Sequence, residues 1–118
     1  MQEKDIQKVL KFQKNEMTEH IIYAKLATHA NAKNNEILKK ISNDELLHYN
    51  ILKEITKTDV KPSGLRIFVY YLIARLLGLS FGLRFMETGE KRVQESYMKI
   101  KNLSPKLKSV IKDEEEHE

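Results

Sequence analysis

Two Glu-x-x-His motifs carry the clearest chemistry in this sequence, Glu45-Leu46-Leu47-His48 and Glu114-Glu115-Glu116-His117. A Glu and a His three apart on a helix lie on one face, so a carboxylate oxygen and an imidazole nitrogen can reach the same metal ion. One such pair says little, because the same two residues commonly share a solvated helix face. Here there are two, in opposite halves of the chain, accompanied by Glu16 and by Glu87-Thr88-Gly89-Glu90. With no Cys among the 118 residues, thiolate zinc sites, iron–sulfur clusters, disulfides and thiol nucleophiles are all excluded within this chain. Any metal must be held by carboxylates and imidazoles.

Helices are the elements that must position these groups. Ile6, Val9, Leu10, Met17, Ile21, Tyr23, Ala24 and Ala27 recur at helical spacing and predict a helix over about 5–30, with Glu16 and His20 inside the stripe. The cluster Asn31-Ala32-Lys33-Asn34-Asn35 predicts a tight connection, with an Asn as N-cap of a second helix over about 35–56. Its expected inner face is Ile37, Leu38, Ile41, Leu52 and Ile55, and Glu45 with His48 fill the gap between them. Residues 58–64, with Pro62 and Gly64, form the longest break and divide the chain into two helical hairpins.

The second half begins with the most apolar run, Leu65 to Met86. Arg66, Arg75 and Arg84 interrupt it and Gly78 and Gly82 fall within it, which disfavours a membrane span. The reading is a short apolar helix over 65–77, packed on the bundle or on a partner subunit, with Phe68, Tyr70 and Tyr71 as core or interface residues and Gly78 as a bend. A third long helix is expected over 79–102, with Leu83, Met86, Val93, Tyr97 and Ile100 inward and Glu87 and Glu90 in the same register. Ser104 as N-cap and Pro105 at the first helical position start an abbreviated fourth helix over 105–118, striped by Leu107, Val110, Ile111, Glu114 and His117. Its shortness suggests a fragment of a longer protein or a helix completed by a neighbouring subunit.

Four of the predicted helices, all but the short apolar one, thus place Glu, or Glu with His, where their own periodicity asks for a hydrophobe. Folding the hairpins antiparallel sets Glu16 opposite Glu45 across a turn near residue 31, and Glu87 opposite Glu114 across a turn near Asn102. Carboxylates brought together in the middle of a bundle cannot all stay ionised unless cations neutralise them. A dinuclear metal site resolves the conflict.

In its order of motifs the chain resembles the rubrerythrin branch of the ferritin-like diiron proteins, which carry Glu, Glu-x-x-His, Glu-x-x-Glu and Glu-x-x-His on four successive helices. Glu16, Glu45-Leu46-Leu47-His48, Glu87-Thr88-Gly89-Glu90 and Glu114-Glu115-Glu116-His117 supply that series over essentially the whole chain. Glu16 followed by Tyr23, the stretch Gly82-Leu83-Arg84-Phe85-Met86-Glu87 and the acidic close are most similar to the ferritin-like domain that precedes a membrane iron-transporter domain in some prokaryotic proteins. The resemblance implies an all-α, ferritin-like four-helix bundle as one domain, 1–118. It implies two Fe ions bridged by Glu45 and Glu114, with Glu16, Glu87, Glu90, His48 and His117 completing their ligands, and Glu90 and His48 exchanging at one iron. Oxidation of Fe(II) by O2 or H2O2 is the implied activity, in iron homeostasis or oxidative-stress defence. Rubrerythrins proper append a Cys-rich electron-donor module, and this chain has no Cys, so it departs from their peroxidase cycle.

Several alternatives stay open on the residues alone. Glu19, one turn from Glu16, rivals it as first-helix ligand, and Asp113 with His117 is a second pairing in the closing motif. His20 and His29 read as satisfied helix residues, and Glu115, Glu116 and Glu118 as a solvated face. Mn or Zn can replace Fe in such a donor set. An iron-sensing or iron-delivery module coupled to a membrane transporter, and a metal-free scaffold, are rival functions. The net charge of +4 comes from dispersed Lys without a basic run, so nucleic acid is not an expected partner. Met1-Gln2-Glu3-Lys4-Asp5 has no signal-peptide pattern, which with the absence of Cys predicts a cytoplasmic protein or one at the cytoplasmic face of a membrane. The apolar 65–77 segment predicts a homodimer or higher assembly.

Overall fold

The computed structural model describes residues 3–85, and every regular element there is a helix: α1 (Glu3–Ala27), α2 (Ala32–Thr56), α3 (Gly64–Leu77) and a helical stretch α4 at 79–85. Glu3 and Asp5 sit in the first turn of α1 and Lys25 in its last, matching the helix dipole at both ends. The Asn cluster builds the first corner. Asn31 caps α2, its side-chain oxygen accepting the Asn34 N–H at 2.9 Å, while the Asn35 side-chain amide donates to the Ala27 carbonyl at 2.6 Å. Asn31 thereby satisfies an N–H left over at the start of α2, and Asn35, within α2, a carbonyl left over at the end of α1. The first Asn of the cluster takes the cap, so α2 starts at Ala32 and not near 35; α1 ends at Ala27 and not near 30, and the connection, residues 28–31, is shifted toward the N-terminus by three residues without changing length.

α1 and α2 run antiparallel about this corner. Ala27 and Asn35 are bonded four residues either side of residue 31, and His20 and Ser42 eleven residues either side. The His20–Ser42 contact also fixes the rotation of α2. Ser42 Oγ donates to the His20 carbonyl at 2.8 Å, so Ser42 faces α1 and brings Leu38, Glu45, Tyr49 and Leu52 inward with it. That rotation overturns one expectation: Ile37, read as an inner residue, is 49% exposed, and Ile41 and Ile55 are only half-buried.

At its far end α2 is closed by Lys57, left-handed at φ 55°, whose N–H bonds to the Lys53 carbonyl. The following loop is tied down by polar residues of α1 and α2. Gln13, fully buried, donates to the Thr58 carbonyl and accepts from Thr56 Oγ1, both at 2.6 Å. Tyr49 Oη accepts the Val60 N–H at 2.9 Å, and Thr18 Oγ1 accepts the Ser63 N–H at 3.0 Å. Asp59 pairs with Lys53 Nζ at 2.6 Å and holds that ammonium above its ordinary pKa. Ser63 then caps α3.

α3 lies against α1, so α1 is covered by α2 on one side and α3 on another. Ile22, Tyr23, Leu26, Ala27, Leu38 and Ala74 form one buried cluster, flanked by Ile67, Tyr70, Tyr71 and Leu83. α3 ends at Gly78, whose φ of 100° and ψ of 154° suit a residue without Cβ, and the chain turns there into α4 as the sequence predicts. No helix of the described residues is long and apolar enough to cross a membrane. Of the expected third helix, only residues 79–85 are described. The expected fourth helix over 105–118, together with Glu87, Glu90, Glu114 and His117, lies outside the described residues.

Candidate metal centre

Midway along α1 and α2 the buried hydrophobes give way to ionisable side chains. Val9 and Phe12 on α1 and Tyr49 and Leu52 on α2 are buried toward the loop end, and Ile22, Leu26 and Leu38 toward the corner. Between them lie Glu16, Glu45 and His48, exposed by only 1%, 1% and 3%. Glu16 occupies the α1 register of Val9, Phe12 and Gln13, and Glu45 the α2 register of Leu38, Ser42 and Tyr49, so the helices that bury the hydrophobes bury the carboxylates too.

The three side chains converge. His48 Nδ1 is 3.4 Å from Glu16 Oε2 on the facing helix and 3.8 Å from Glu45 Oε1 one turn back on its own. One donor atom from each lies within 4.8 Å of the others. Two carboxylates withdrawn from water cost several kcal/mol each by a rough reckoning, unless positive charge meets them. A protonated His48 supplies one positive charge against two negative ones. A divalent cation supplies two, and its preferred donors, hard carboxylate oxygen and borderline imidazole nitrogen, are those present. The donor set therefore fits a metal ion and does not by itself select which.

Glu16, Glu45 and His48 are thus brought together as the sequence predicts. Glu19 is also buried, at 4%, but it is not a member of this group, which places Glu16 as the α1 contributor. Neither His20 nor His29 belongs to it. His20 Nδ1 lies 2.8 Å from the Ser42 carbonyl, which can only accept, so that nitrogen carries the proton. His29 Nε2 lies 2.6 Å from the Tyr71 hydroxyl. His20 is the satisfied helix residue the sequence suggests, whereas His29 lies in the turn just past the end of α1, with Tyr71 as its partner.

Ser42, Gln13 and Thr18 carry no metal-binding signal in the sequence, yet they orient the helices that carry the site. Their signal was available in retrospect of spacing: each is a small or neutral polar residue within a helix, three or four positions from a buried one, and each bonds across elements rather than to solvent. Compared with family models, curated proteins and solved structures, the chain matches none of them.

Proposed function

We propose that this chain is a ferritin-like diiron protein that oxidises Fe(II) with O2 or H2O2. The α1–α2 hairpin is one half of a four-helix bundle, and Glu16, Glu45 and His48 are one half of its metal-binding set. By their motif spacing in the sequence, Glu87, Glu90, Glu114 and His117 would supply the other half. The observation that carries the reading is the buried Glu16–Glu45–His48 group, which gathers two carboxylates and an imidazole within 4.8 Å where the helix registers call for hydrophobes. Its chemistry selects a cation, and the spacing of the remaining motifs in the sequence supports a second.

A pair of irons, when bound, supplies two electrons to O2 or H2O2. The chain's own residues hold and shield them. Glu16 and Glu45 provide the negative charge, His48 a neutral donor, and Val9, Phe12, Ile22, Tyr49 and Leu52 keep bulk water from the layers on either side. The His20–Ser42 and Gln13–Thr56 bonds fix α1 against α2, so the carboxylates are positioned before metal arrives.

Metal analysis after anaerobic loading with Fe(II), followed by stopped-flow absorbance on mixing with O2 or H2O2, tests the reading. About two irons per chain and rapid formation of Fe(III) are expected. The closing motif sharpens the test, because a helix with the sequence spacing Leu107, Val110, Ile111, Glu114 would put Glu114 on its apolar stripe and Glu115 about 100° away. Glu114→Ala should remove most of the iron and Glu115→Ala should not. Iron bound without oxidation would make the chain a carrier or sensor, and no bound metal would leave a scaffold.

A further inference from the structure

α3 is apolar on two opposite sides. Ile67, Tyr70, Tyr71 and Ala74 pack inward on the core. Leu65, Phe68, Val69, Leu72 and Leu76, three or four apart, line the other side and are 39–75% exposed. Phe81 and Phe85 add 51% and 47% exposed rings on α4. An exposed aliphatic and aromatic stripe of this extent, on a helix that already has its inner partner, needs a second occupant.

The charges around the stripe say which occupant fits. Between Asp59 and Glu87 the sequence has no acidic residue, and its charged groups are Lys61, Arg66, Arg75 and Arg84. On the helical wheel Arg66 and Arg75 flank the stripe, roughly 100° to one side and 80° to the other. The Arg66 guanidinium is braced by the Asn15 side chain and lies 5.6 Å from the centre of the Tyr70 ring, while Arg75 is exposed. A second copy of the same face would set cation against cation. An anionic bilayer offers hydrocarbon to the Leu and Phe side chains and phosphate to the exposed Arg75 guanidinium beside them, while Arg66, held by Asn15 and Tyr70, adds positive charge at the other flank. Fourteen residues of helix reach about 21 Å, short of the roughly 30 Å of a hydrocarbon core, so α3 lies in the plane of such a surface and does not cross it.

We propose that the outer stripe of α3, Leu65, Phe68, Val69, Leu72 and Leu76 with Arg66 and Arg75 on its flanks, docks this protein on the surface of an anionic lipid bilayer. The proposal is independent of the metal site. The full chain is mixed with vesicles of phosphatidylcholine and phosphatidylglycerol at three to one, or of phosphatidylcholine alone, and sedimented. Binding to the mixed vesicles and much weaker binding to the neutral ones is expected, and the binding should fall as salt shortens the screening length from about 10 Å at 0.1 M toward 3 Å at 1 M. Leu72→Ser with Leu76→Ser should abolish binding. Arg75→Glu, which leaves the apolar stripe intact and removes two units of charge, should weaken it by about 25-fold, roughly fivefold per charge. Circular dichroism confirms that the variants keep their helix content; should the serine pair unfold, Arg75→Glu carries the test alone. No sedimentation with either vesicle, equal binding to both, or binding indifferent to Arg75→Glu overturns the proposal. So does a wild-type dimer by light scattering that the serine pair dissociates without any vesicle binding, since the occupant is then a second copy.

Discussion

His48 on α2 places Nδ1 3.4 Å from Oε2 of Glu16 on α1, and this contact joins the two helices at the middle of their buried interface. Glu45, one turn from His48 on the same helix, brings a second carboxylate oxygen to 3.8 Å from the same nitrogen. Neutral replacement separates this group from its neighbour Glu19. Glu16→Gln and Glu45→Gln keep side-chain volume while deleting a charged donor, and each should lower divalent-metal affinity by more than about tenfold, at least what loss of a supporting residue around a metal costs. Glu19→Gln should leave it near wild type. Competition titration against a chromophoric chelator reads all three, and an equal loss from Glu19→Gln would move the site one turn along α1.

Metal and stability are coupled through the same burial. Whatever binds the native state and not the unfolded one stabilises it by mass action, by about 2.7 kcal/mol at a metal concentration one hundred times the dissociation constant. Removing metal with a chelator should therefore lower the melting temperature, and restoring Fe(II), Mn(II) or Zn(II) should raise it again. A melting curve unchanged by chelation, with metal loss verified by elemental analysis, would return the Glu16–Glu45–His48 group to a purely structural role.

The α1–α2 hairpin was legible in the sequence because its signals agree. The Glu-x-x-His spacing, the Asn cluster and the helical period point to the same antiparallel pair, and Glu16 meets Glu45 and His48 as that pairing requires. The facing of Ile37 was not legible. Hydrophobicity alone cannot choose between adjacent rotations of a helix that has Ile37 and Leu38 side by side, and it is a serine hydroxyl reaching the His20 carbonyl that decides. Gln13 escaped notice for a related reason: a neutral amide gives no periodic signal, and its partners Thr56 and Thr58 lie more than forty residues away. The outer side of α3 shows in the sequence only as part of an apolar run, since composition cannot divide one helix into an inner and an outer stripe.

Ser42 offers a test of helix orientation apart from metal chemistry. Its buried hydroxyl donates across the interface to the His20 carbonyl, which also has its own helical partner in α1, so Ser42→Ala removes one interhelical hydrogen bond at a cost of about 0.5–1.5 kcal/mol. Denaturant unfolding should show the loss, and the metal affinity of the folded protein should change little, because Ser42 is not in the Glu16–Glu45–His48 group. A large fall in affinity with unchanged stability would place Ser42 in the site itself.

Gly82 marks where α4 crosses α3. A Cβ built on it would lie 2.8 Å from Ala74 Cβ and 3.0 Å from Ala74 Cα, closer than such atoms can approach, and neither obstacle is the movable end of a long side chain. Two effects oppose each other in Gly82→Ala. Helix propensity favours Ala over Gly by about 1 kcal/mol, whereas overpacking a tight contact costs typically about 1–3 kcal/mol. Ala74 is itself buried in the core cluster and cannot retreat without moving Ile22 and Leu26, so the clash should win and the net effect should be a destabilisation of about 1 kcal/mol. The contact can be isolated by a double-mutant cycle with Ala74→Gly. That change alone should destabilise, through propensity and lost packing, but in the Gly82→Ala background it removes the nearest obstacle, so the two substitutions together should cost less than their sum. Strict additivity in thermal or denaturant unfolding would mean that α4 does not cross α3 at Ala74.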